Sequence, residues 1–280
     1  MKRLVVTADD FGAAVEVNDA VLDAHANGIL TATSLMVAAP AAADAVARAK
    51  AAPSLRVGLH LVLVEGKPVL SVAQVPDLVD ARGNFRTDMA RAGAAMFFLP
   101  DVKRQLAEEI AAQFAAFRAT GLPLDHVNAH KHFHLHPTIA ALMLSIGHDF
   151  GLKAARVPLE PAATLGQVEP YKGSAVAAIT RPFAQGLRRR FARAGIASPD
   201  QVFGLAWSGA MTATRVRGII GHLPEGLSEI YLHPATGDYP GCAPGYAYRE
   251  ELAALLDSSV IEAAQNRQIL LGGFEDFRHV

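Results

Sequence analysis

The densest group of side chains that could do chemistry is a run of histidines near the middle of the chain. Five of the eleven histidines fall between residues 125 and 137. Neutral imidazole is a common metal ligand, and histidine has no packing reason to recur on one face of a strand. The run therefore predicts a metal site, with a His-rich surface turn as the alternative. If the run is extended, the two-residue period of a strand places these side chains on one face: His126, Asn128, His130, His132, His134 and His136.

Two adjacent carboxylates, Asp9 and Asp10, follow the apolar run Leu4–Ala8. Charge buried at the end of an apolar strand is costly unless something uses that charge. One carboxylate could bind a metal while its neighbour accepts a proton, and Gly12 would let the chain turn sharply. The alternative is a pair of helix N-cap residues, because Asp is favoured at that position.

Three more ionisable residues lie at or near the ends of other predicted strands. His60 lies between two leucines, where a histidine packed in the core is the plainer interpretation. Arg156 could pair with a catalytic carboxylate and lower its pKa, although a surface salt bridge would also explain it. His233 could act as a general acid, because histidine titrates near neutral pH.

Taken together, these residues predict a hydrolytic metal site. One carboxylate and two imidazoles leave positions on a metal open for water and substrate. From the residues alone, the predicted ligands are Asp10, His60 and one of three histidines. The choice among those three stays open: His130, His132 or His134.

Short apolar segments that alternate with amphipathic ones must position these side chains. The predicted strands are Leu4–Ala8, Thr33–Ala38, Val57–Val62, His126–His130, Ala154–Val157, Val202–Ala206, Glu229–Leu232 and Gln268–Gly272. The predicted helices are Val15–Asn27, Val102–Thr120, Ile139–Ile146 and Glu250–Asn266. This alternation is typical of βα units and a parallel sheet. It predicts an α/β fold of the (β/α) TIM-like barrel type, as one domain over residues 1–280, with its chemistry at the carboxyl ends of the strands.

Two long stretches break this alternation, residues 65–100 and 160–200. We expect them to be long loops that act as lids or binding segments. The first carries an apolar patch with Phe97 and Phe98, which could pack on a helix or form a wall for an apolar substrate. The second is rich in arginine.

Composition excludes several classes of protein. The net charge is −1 and the pI is about 6.8, so no basic surface argues for nucleic acid. The lone cysteine, Cys242, cannot form an intramolecular disulfide and fits a reducing compartment. Neither a signal peptide nor a membrane span is recognisable, which predicts a cytoplasmic protein. A hydrophobic content of 51% makes a homodimer plausible.

Four motifs resemble those of the YdjC-like (ChbG-type) carbohydrate deacetylases, in that family's order and spacing. They are Asp9-Asp10-Phe11-Gly12, Gly58-Leu59-His60-Leu61, the run from Asn128 to Pro137, and Tyr231-Leu232-His233-Pro234. The resemblance implies a distorted (β/α) barrel, mostly of parallel strands, and hydrolysis of the N-acetyl group of an amino sugar. It also implies one divalent metal ion, which could be zinc, nickel, cobalt or magnesium.

The resemblance also implies a role for each matching residue. Asp9 resembles the catalytic base, and His233 matches the general acid. The implied metal ligands are Asp10, His60 and His130. Beside these roles, we expect Arg156 to orient Asp9, and His132 and His134 to bind substrate. The family often has Asp before the Ser-His of the third motif, whereas this chain has Asn128 and Ala129.

Residues 203–209 and the arginine-rich segment before them resemble the hopanoid-biosynthesis-associated (HpnK) branch of that family. That branch implies an N-acetylglucosaminyl hopanoid as substrate, a sugar carried on a polycyclic lipid. Phe97, Phe98 and Trp207 could then form an apolar wall for the lipid. Such a substrate also implies peripheral contact with the inner membrane surface.

Two other functions fit some of these residues. Another metal-dependent hydrolase on a barrel, such as an amidohydrolase or a phosphoesterase, usually needs more metal ligands than are found here. A lipid- or sugar-binding protein with a vestigial site needs an apolar wall, but it does not need both Asp9 and Asp10.

Overall fold

Seven parallel strands form one sheet within residues 1–265 and 268–278, which a computed structural model of the chain describes. The sheet order is β4-β3-β2-β1-β6-β5, and β7 pairs with β1. The strands are β1 (Lys2–Phe11), β2 (Ala32–Leu35), β3 (Arg56–Leu61), β4 (Val127–Ala129), β5 (Gln201–Phe203), β6 (Gly226–Leu232) and β7 (Ile269–Leu271).

Helices surround this sheet. They are α1 (Val15–Asn27), α2 (Ala42–Ala51), α3 (Met89–Phe98), α4 (Pro100–Ala119), α5 (Pro137–Asp149), α6 (Ala162–Val168), α7 (Ala175–Arg193), α8 (Ala213–Gly221), α9 (Tyr248–Leu256) and α10 (Ser258–Ala264). Two short 3-10 helices are His130–Leu135 and Glu275–Phe277. In the part of the chain that the structure describes, no helix is both long and apolar enough to cross a membrane.

Strand β1 lies at the centre of the sheet because it has neighbours along both edges. One edge pairs with β6 over Lys2–Ala8. The other edge pairs with β7 near its start and with β2 near its end. Its central residues, Leu4 to Ala8, are fully buried, as their apolar sequence predicts.

The segment 154–159 lies between β4 and β5, the two outer strands of the sheet order. The backbone N–H of Val127 in β4 donates to Ala154 at 3.0 Å, and the N–H of Val202 in β5 donates to Leu159 at 2.8 Å. Ala154–Val157 is therefore not the regular strand that was predicted, but two isolated bridges connect it to its neighbours. The sheet curls into a distorted, mostly parallel barrel, which confirms the predicted fold class.

The predicted helices are confirmed where apolar residues recur at helical spacing over several turns. Helix α1 has the predicted bounds, and the apolar side chains of α4 at helical spacing are buried. The predicted helix Glu250–Asn266 is two helices, because the side chain of Asp257 accepts from backbone N–H groups of Ser259 and Val260 and caps α10. Its predicted end, Asn266, lies outside the described residues.

The long loops predicted for residues 65–100 and 160–200 are partly helical. The first contains α3, which Asp88 caps by accepting from the N–H of Arg91. The second contains α6 and α7, and Ser174 caps α7 in the same way. The prediction of long loops was therefore wrong where these helices lie, because one capping residue starts α3 and another starts α7.

The histidine run is not one extended strand, so that prediction was wrong. Strand β4 ends at Ala129, and the 3-10 helix His130–Leu135 follows at once. Lys131 and His132 have φ angles of 52° and 53°, in the left-handed region. Because these two residues turn the chain, the alternation of side chains between two faces stops at His130.

The close approach of β3 to β4 gives a stability prediction. A Cβ atom on Gly58 would lie 2.6 Å from the backbone oxygen of His126, which accepts from Leu59 between the strands. We expect Gly58→Ala to lower the free energy of unfolding by about 1–3 kcal/mol, because the backbone of one of the two strands must move to make room for the Cβ atom. Urea denaturation measures this change.

Gly166→Ala is the matched control, because nothing lies within 4 Å of its added Cβ in α6. This variant should raise the free energy of unfolding by about 0.5–1 kcal/mol. Equal stability of Gly58→Ala and the wild type would contradict the close approach of the two strands.

Candidate metal centre

Asp10, His60 and His130 bring three ligand atoms together at the carboxyl ends of β1, β3 and β4. Asp10 Oδ1 lies 3.2 Å from His60 Nε2 and 3.2 Å from His130 Nδ1, and these two nitrogens are 3.3 Å apart. Four tetrahedral bonds of about 2.1 Å would hold ligand atoms about 3.4 Å apart. The triangle therefore fits one face of a metal's coordination shell, and it is the one such group among the described residues.

Asp9 and Asp10 both line the same cavity although they are neighbours in a strand. Successive side chains of a regular strand point to opposite faces. Asp10 has a φ of 64°, and the pairing of β1 with β2 shifts register between Ala8 and Phe11. This left-handed residue, which costs roughly 1–3 kcal/mol, turns the second carboxylate toward the first.

Asn128 fixes the orientation of His60. Its side-chain oxygen lies 2.7 Å from His60 Nδ1, while its amide nitrogen donates to Asp9 Oδ1 at 2.9 Å. An amide oxygen only accepts, so His60 carries its proton on Nδ1 and keeps the lone pair of Nε2 for a metal. Asn128 therefore supports both the carboxylate of Asp9 and the imidazole of His60.

Asp9 is a buried, ionised carboxylate held by Arg156. The guanidinium donates to Asp9 Oδ2 at 2.6 Å and to Oδ1 at 3.0 Å. Burial raises the pKa of Asp9, but the adjacent Arg156 outweighs that effect and holds the pKa well below its usual range. Oδ1 also accepts from Ser34 and Asn128, whereas Oδ2 accepts only from Arg156 among the described residues. Oδ2 therefore keeps a lone pair for a further donor.

Arg156 is fully buried and pairs with a second carboxylate, Glu229. Its Nε and Nη2 donate to Glu229 Oε1 at 3.0 and 2.7 Å, and its guanidinium lies 4.4 Å from the centre of the Tyr231 ring. It is not a surface salt bridge. Sequence reasoning missed Glu229, although a charged residue in the middle of the apolar strand β6 was a signal for it.

The two histidines predicted to bind substrate lie in different surroundings. His132 lines the cavity, and its Nε2 lies 3.0 Å from the hydroxyl of Tyr231. His134 is fully buried, and its Nε2 donates to the backbone oxygen of Arg156 at 3.0 Å. A side chain with no exposed surface cannot contact substrate, so His134 supports Arg156 instead.

The apolar wall predicted from Phe97, Phe98 and Trp207 is not part of the cavity. Phe97 and Phe98 are exposed on the outside of the protein, at the end of α3. Trp207 is buried, with its ring 6.4 Å from that of Tyr171 and 4.9 Å from the guanidinium of Arg215. The prediction failed because apolar character alone does not show which surface a side chain joins.

The ligand triangle opens into a cavity of about 580 Å³. A second lobe of about 480 Å³ shares Asp10 and His130 with it, and the apolar residues 36–40 form part of its wall. The two lobes are large enough for a small ligand that reaches both sides of the ligand triangle. All five tyrosines of the chain line the first lobe: Tyr171, Tyr231, Tyr239, Tyr246 and Tyr248.

His233 lines the cavity, and Glu251 holds its backbone. Its backbone N–H donates to Glu251 Oε2 at 2.5 Å, and its Nδ1 lies 3.9 Å from the same oxygen. Glu251 is fully buried and also accepts from the N–H of Met211. Glu251 therefore fixes the backbone of His233, while the rings of Tyr231 and Tyr246 pack against its imidazole, with ring centres 5.6 and 5.2 Å away.

Comparison with known proteins places the chain in a family. A sequence model of the YdjC-like protein family matches residues 3–266. The chain belongs to the YdjC-like family. A carbohydrate deacetylase from Geobacillus stearothermophilus is 31% identical over 279 residues, which cover 98% of this chain and 97% of that protein. One from Thermoanaerobacter pseudethanolicus is 28% identical, covering 98% of each chain.

A solved structure supports the fold of this YdjC-like protein. The crystal structure of a protein from Enterococcus faecalis V583 superposes with a TM-score of 0.77 at 24% identity, covering 98% of both chains. The family resemblance of the four motifs is therefore confirmed, and so is the barrel.

The ligand triangle predicts which histidines a metal needs. We expect His60→Ala and His130→Ala to lose the bound metal, because each removes one of three ligand atoms. His132→Ala is the matched control and should keep it, since His132 bonds Tyr231 instead. Metal content per chain after purification measures this. Loss of metal in His132→Ala alone would contradict the assignment.

Proton release should accompany metal binding. Burial opposes charge on His130, but the carboxylates of Asp10 and Glu65 raise its pKa to about 10. In the metal-free protein His130 is therefore protonated at pH 7, and the metal must displace that proton. We expect release of about one proton per ion at pH 7.5 and an affinity that rises about tenfold per pH unit up to pH 9.

Calorimetry in buffers of different ionisation enthalpy counts the released protons. The His132→Ala protein should release the same number. Metal binding without proton release would show that the metal does not displace a proton from His130.

Proposed function

We propose that this YdjC-like protein is a metal-dependent deacetylase that hydrolyses the N-acetyl group of an amino sugar. The observation that carries the proposal is the ligand triangle of Asp10, His60 and His130 beside the ionised Asp9, in a tyrosine-lined cavity. The Geobacillus stearothermophilus relative, aligned over nearly its whole length, is a carbohydrate deacetylase. Its activity supports the same reaction class here.

Asp10, His60 and His130 would hold one divalent ion. Two imidazoles and one carboxylate suit zinc, nickel or cobalt, and magnesium is the alternative among oxygen-preferring ions. When bound, such an ion polarises a carbonyl oxygen and lowers the pKa of a water molecule to about 7. The single cluster among the described residues favours a site for one ion over the larger ligand sets of other barrel hydrolases.

Asp9 takes the proton of the attacking water through Oδ2, the carboxylate oxygen with a free lone pair. Arg156 keeps this carboxylate ionised, so it can accept a proton over the whole pH range near neutrality. A carboxylate of such low pKa is a weak base, and it depends on the lowered pKa of the water. The bidentate ion pair with Arg156 also holds Oδ2 of Asp9 in one place, and this fixed oxygen orients the water.

His233 donates a proton to the leaving amine. Glu251 accepts from its backbone N–H, and Nδ1 is buried, which leaves Nε2 as the proton-donating atom. The tyrosines present ring faces and hydroxyl groups, and such amphipathic surfaces suit the apolar faces and hydroxyls of a sugar. His132 and Tyr231, which contact each other, lie where a sugar hydroxyl could join them.

The finer proposal is an N-acetylglucosaminyl hopanoid as substrate, with the reaction at the inner membrane surface. Residues 203–209, which resemble the HpnK branch, form part of the cavity wall through Leu205, Ala206 and Ser208. Glu160 holds this segment by accepting from the backbone N–H groups of Gly204, Leu205 and Ala206 at 2.9–3.0 Å. Val176 and Ala177 add apolar surface to the same cavity.

Acetate release tests this function. Wild-type protein is assayed with N,N′-diacetylchitobiose and with an N-acetylglucosaminyl lipid, before and after chelation. We expect Asp9→Asn to lower kcat by about 10²–10⁴-fold while keeping bound metal, because the amide cannot accept the proton. Asp88→Asn is the matched control, since Asn caps a helix as well as Asp and Asp88 is exposed.

The outcomes separate the alternatives. Turnover retained in Asp9→Asn would remove Asp9 as the base. No acetate from either substrate, with metal still bound, would contradict a deacetylase, and phosphate release from a phosphomonoester would favour a phosphoesterase. Chitobiose preferred over the lipid would contradict the hopanoid assignment alone.

A further inference from the structure

The N-terminal half of α7 projects from the body of the protein. Residues 172–179 are exposed, whereas only the later residues Ala184, Leu187 and Phe191 are buried. Three large apolar side chains in the projecting part are exposed, with fractions of 69% for Val176, 68% for Ile179 and 57% for Phe183. Their spacing places them within about 60° of one another around the helix. An apolar stripe of this kind marks an interaction surface.

The same segment carries unpaired positive charge. Residues 171–199 contain six basic side chains and no acidic one, in a chain whose net charge is −1. The basic residues are Lys172, Arg181, Arg188, Arg189, Arg190 and Arg193. Among the ion pairs of the described residues, none involves any of these six. Arg190 donates to the backbone oxygen of Pro137 instead.

The apolar stripe continues toward the end of α3. Phe183 lines a groove together with Leu135 and Pro137. Between these two lies His136, whose ring centre is 6.1 Å from that of Phe97. Phe98 beyond it is 72% exposed. The phenylalanines that the sequence suggested as a wall of the site therefore belong to this outer surface.

We propose that α7 and the end of α3 dock the protein onto an anionic lipid bilayer. An interfacial helix has apolar side chains that insert among the acyl chains of the lipids. It also has basic side chains that bind the lipid phosphates. A second copy of this chain is disfavoured, because a two-fold interface would bring the same basic surface against itself. An anionic bilayer can bury the apolar side chains among its acyl chains and pair its phosphates with the basic side chains.

The position of α7 connects this surface to the cavity. Val176, Ala177 and Thr180 line the cavity, while Ile179 and Phe183 do not. A docked α7 would therefore hold the cavity mouth at the bilayer surface, where a lipid-linked sugar could enter with its lipid still in the membrane. This last step rests on the proposed deacetylase function, whereas docking itself does not.

Sedimentation with vesicles tests the docking surface. One set contains phosphatidylcholine with phosphatidylglycerol, and the other contains phosphatidylcholine alone. We expect binding to the anionic set only, weakened by salt. The I179D/F183D protein should bind at least about tenfold more weakly. The R189Q/R193Q protein should lose about fivefold for each arginine removed, because helical spacing places both arginines on one flank of the apolar stripe.

Leu270→Asp is the control for removal of an exposed apolar side chain. Leu270 is 45% exposed and pairs with Arg3 at the start of β1, about 20 Å along the strand from Asp10. This protein should bind vesicles as the wild type does. Thermal unfolding of all variants shows whether each is folded.

The outcomes distinguish docking from catalysis. Turnover of N,N′-diacetylchitobiose should be unchanged in I179D/F183D. Wild-type protein that binds neither vesicle set, or I179D/F183D that binds as well as wild type, would overturn the docking surface. A concentration-dependent dimer that I179D/F183D abolishes, without vesicle binding, would overturn it in favour of a second copy. Failure of the deacetylase proposal would instead appear as no acetate from either chitobiose or the N-acetylglucosaminyl lipid while vesicle binding persists.

Discussion

A single buried guanidinium organises the reaction centre. Arg156 has no exposed surface and lies between two carboxylates, those of Asp9 in β1 and Glu229 in β6. An unpaired buried charge destabilises a protein by several kcal/mol, so the three residues must stay together. Because Arg156 belongs to the segment between β4 and β5, these ion pairs also tie that irregular segment to the centre of the sheet.

The order of the metal ligands follows from this ion pair. Asp9, fixed by Arg156, accepts from Ser34 in β2 and from Asn128 in β4. Asn128 in turn accepts from His60 in β3, and this contact sets which nitrogen of His60 faces the metal site. One network thus connects four adjacent strands. Residues that never touch a metal or a substrate therefore decide where the ligand atoms lie, as outer partners do in other metal sites.

Two surfaces with different chemistry meet at the mouth of the cavity. Inside are ionisable groups and all five tyrosines, which suit a polar ligand. Outside, α7 carries exposed apolar side chains and arginines, which suit a lipid surface. Val176 belongs to both, because it lines the cavity and is also largely exposed. A substrate with a sugar at one end and a lipid at the other would match both surfaces.

Most regular elements, and the strand ends at which the chemistry lies, could be predicted from the sequence. Apolar periods located β1, β3, β6, α1 and α4, and four motifs identified the family. The tertiary structure alone decided which histidines share a site, because two left-handed residues after His130 end the predicted alternation. It also decided the partners of Arg156 and the outward position of Phe97 and Phe98. Periodicity reports on neighbours within a few residues, whereas Asp9 and Arg156 are 147 residues apart and meet only when the barrel forms.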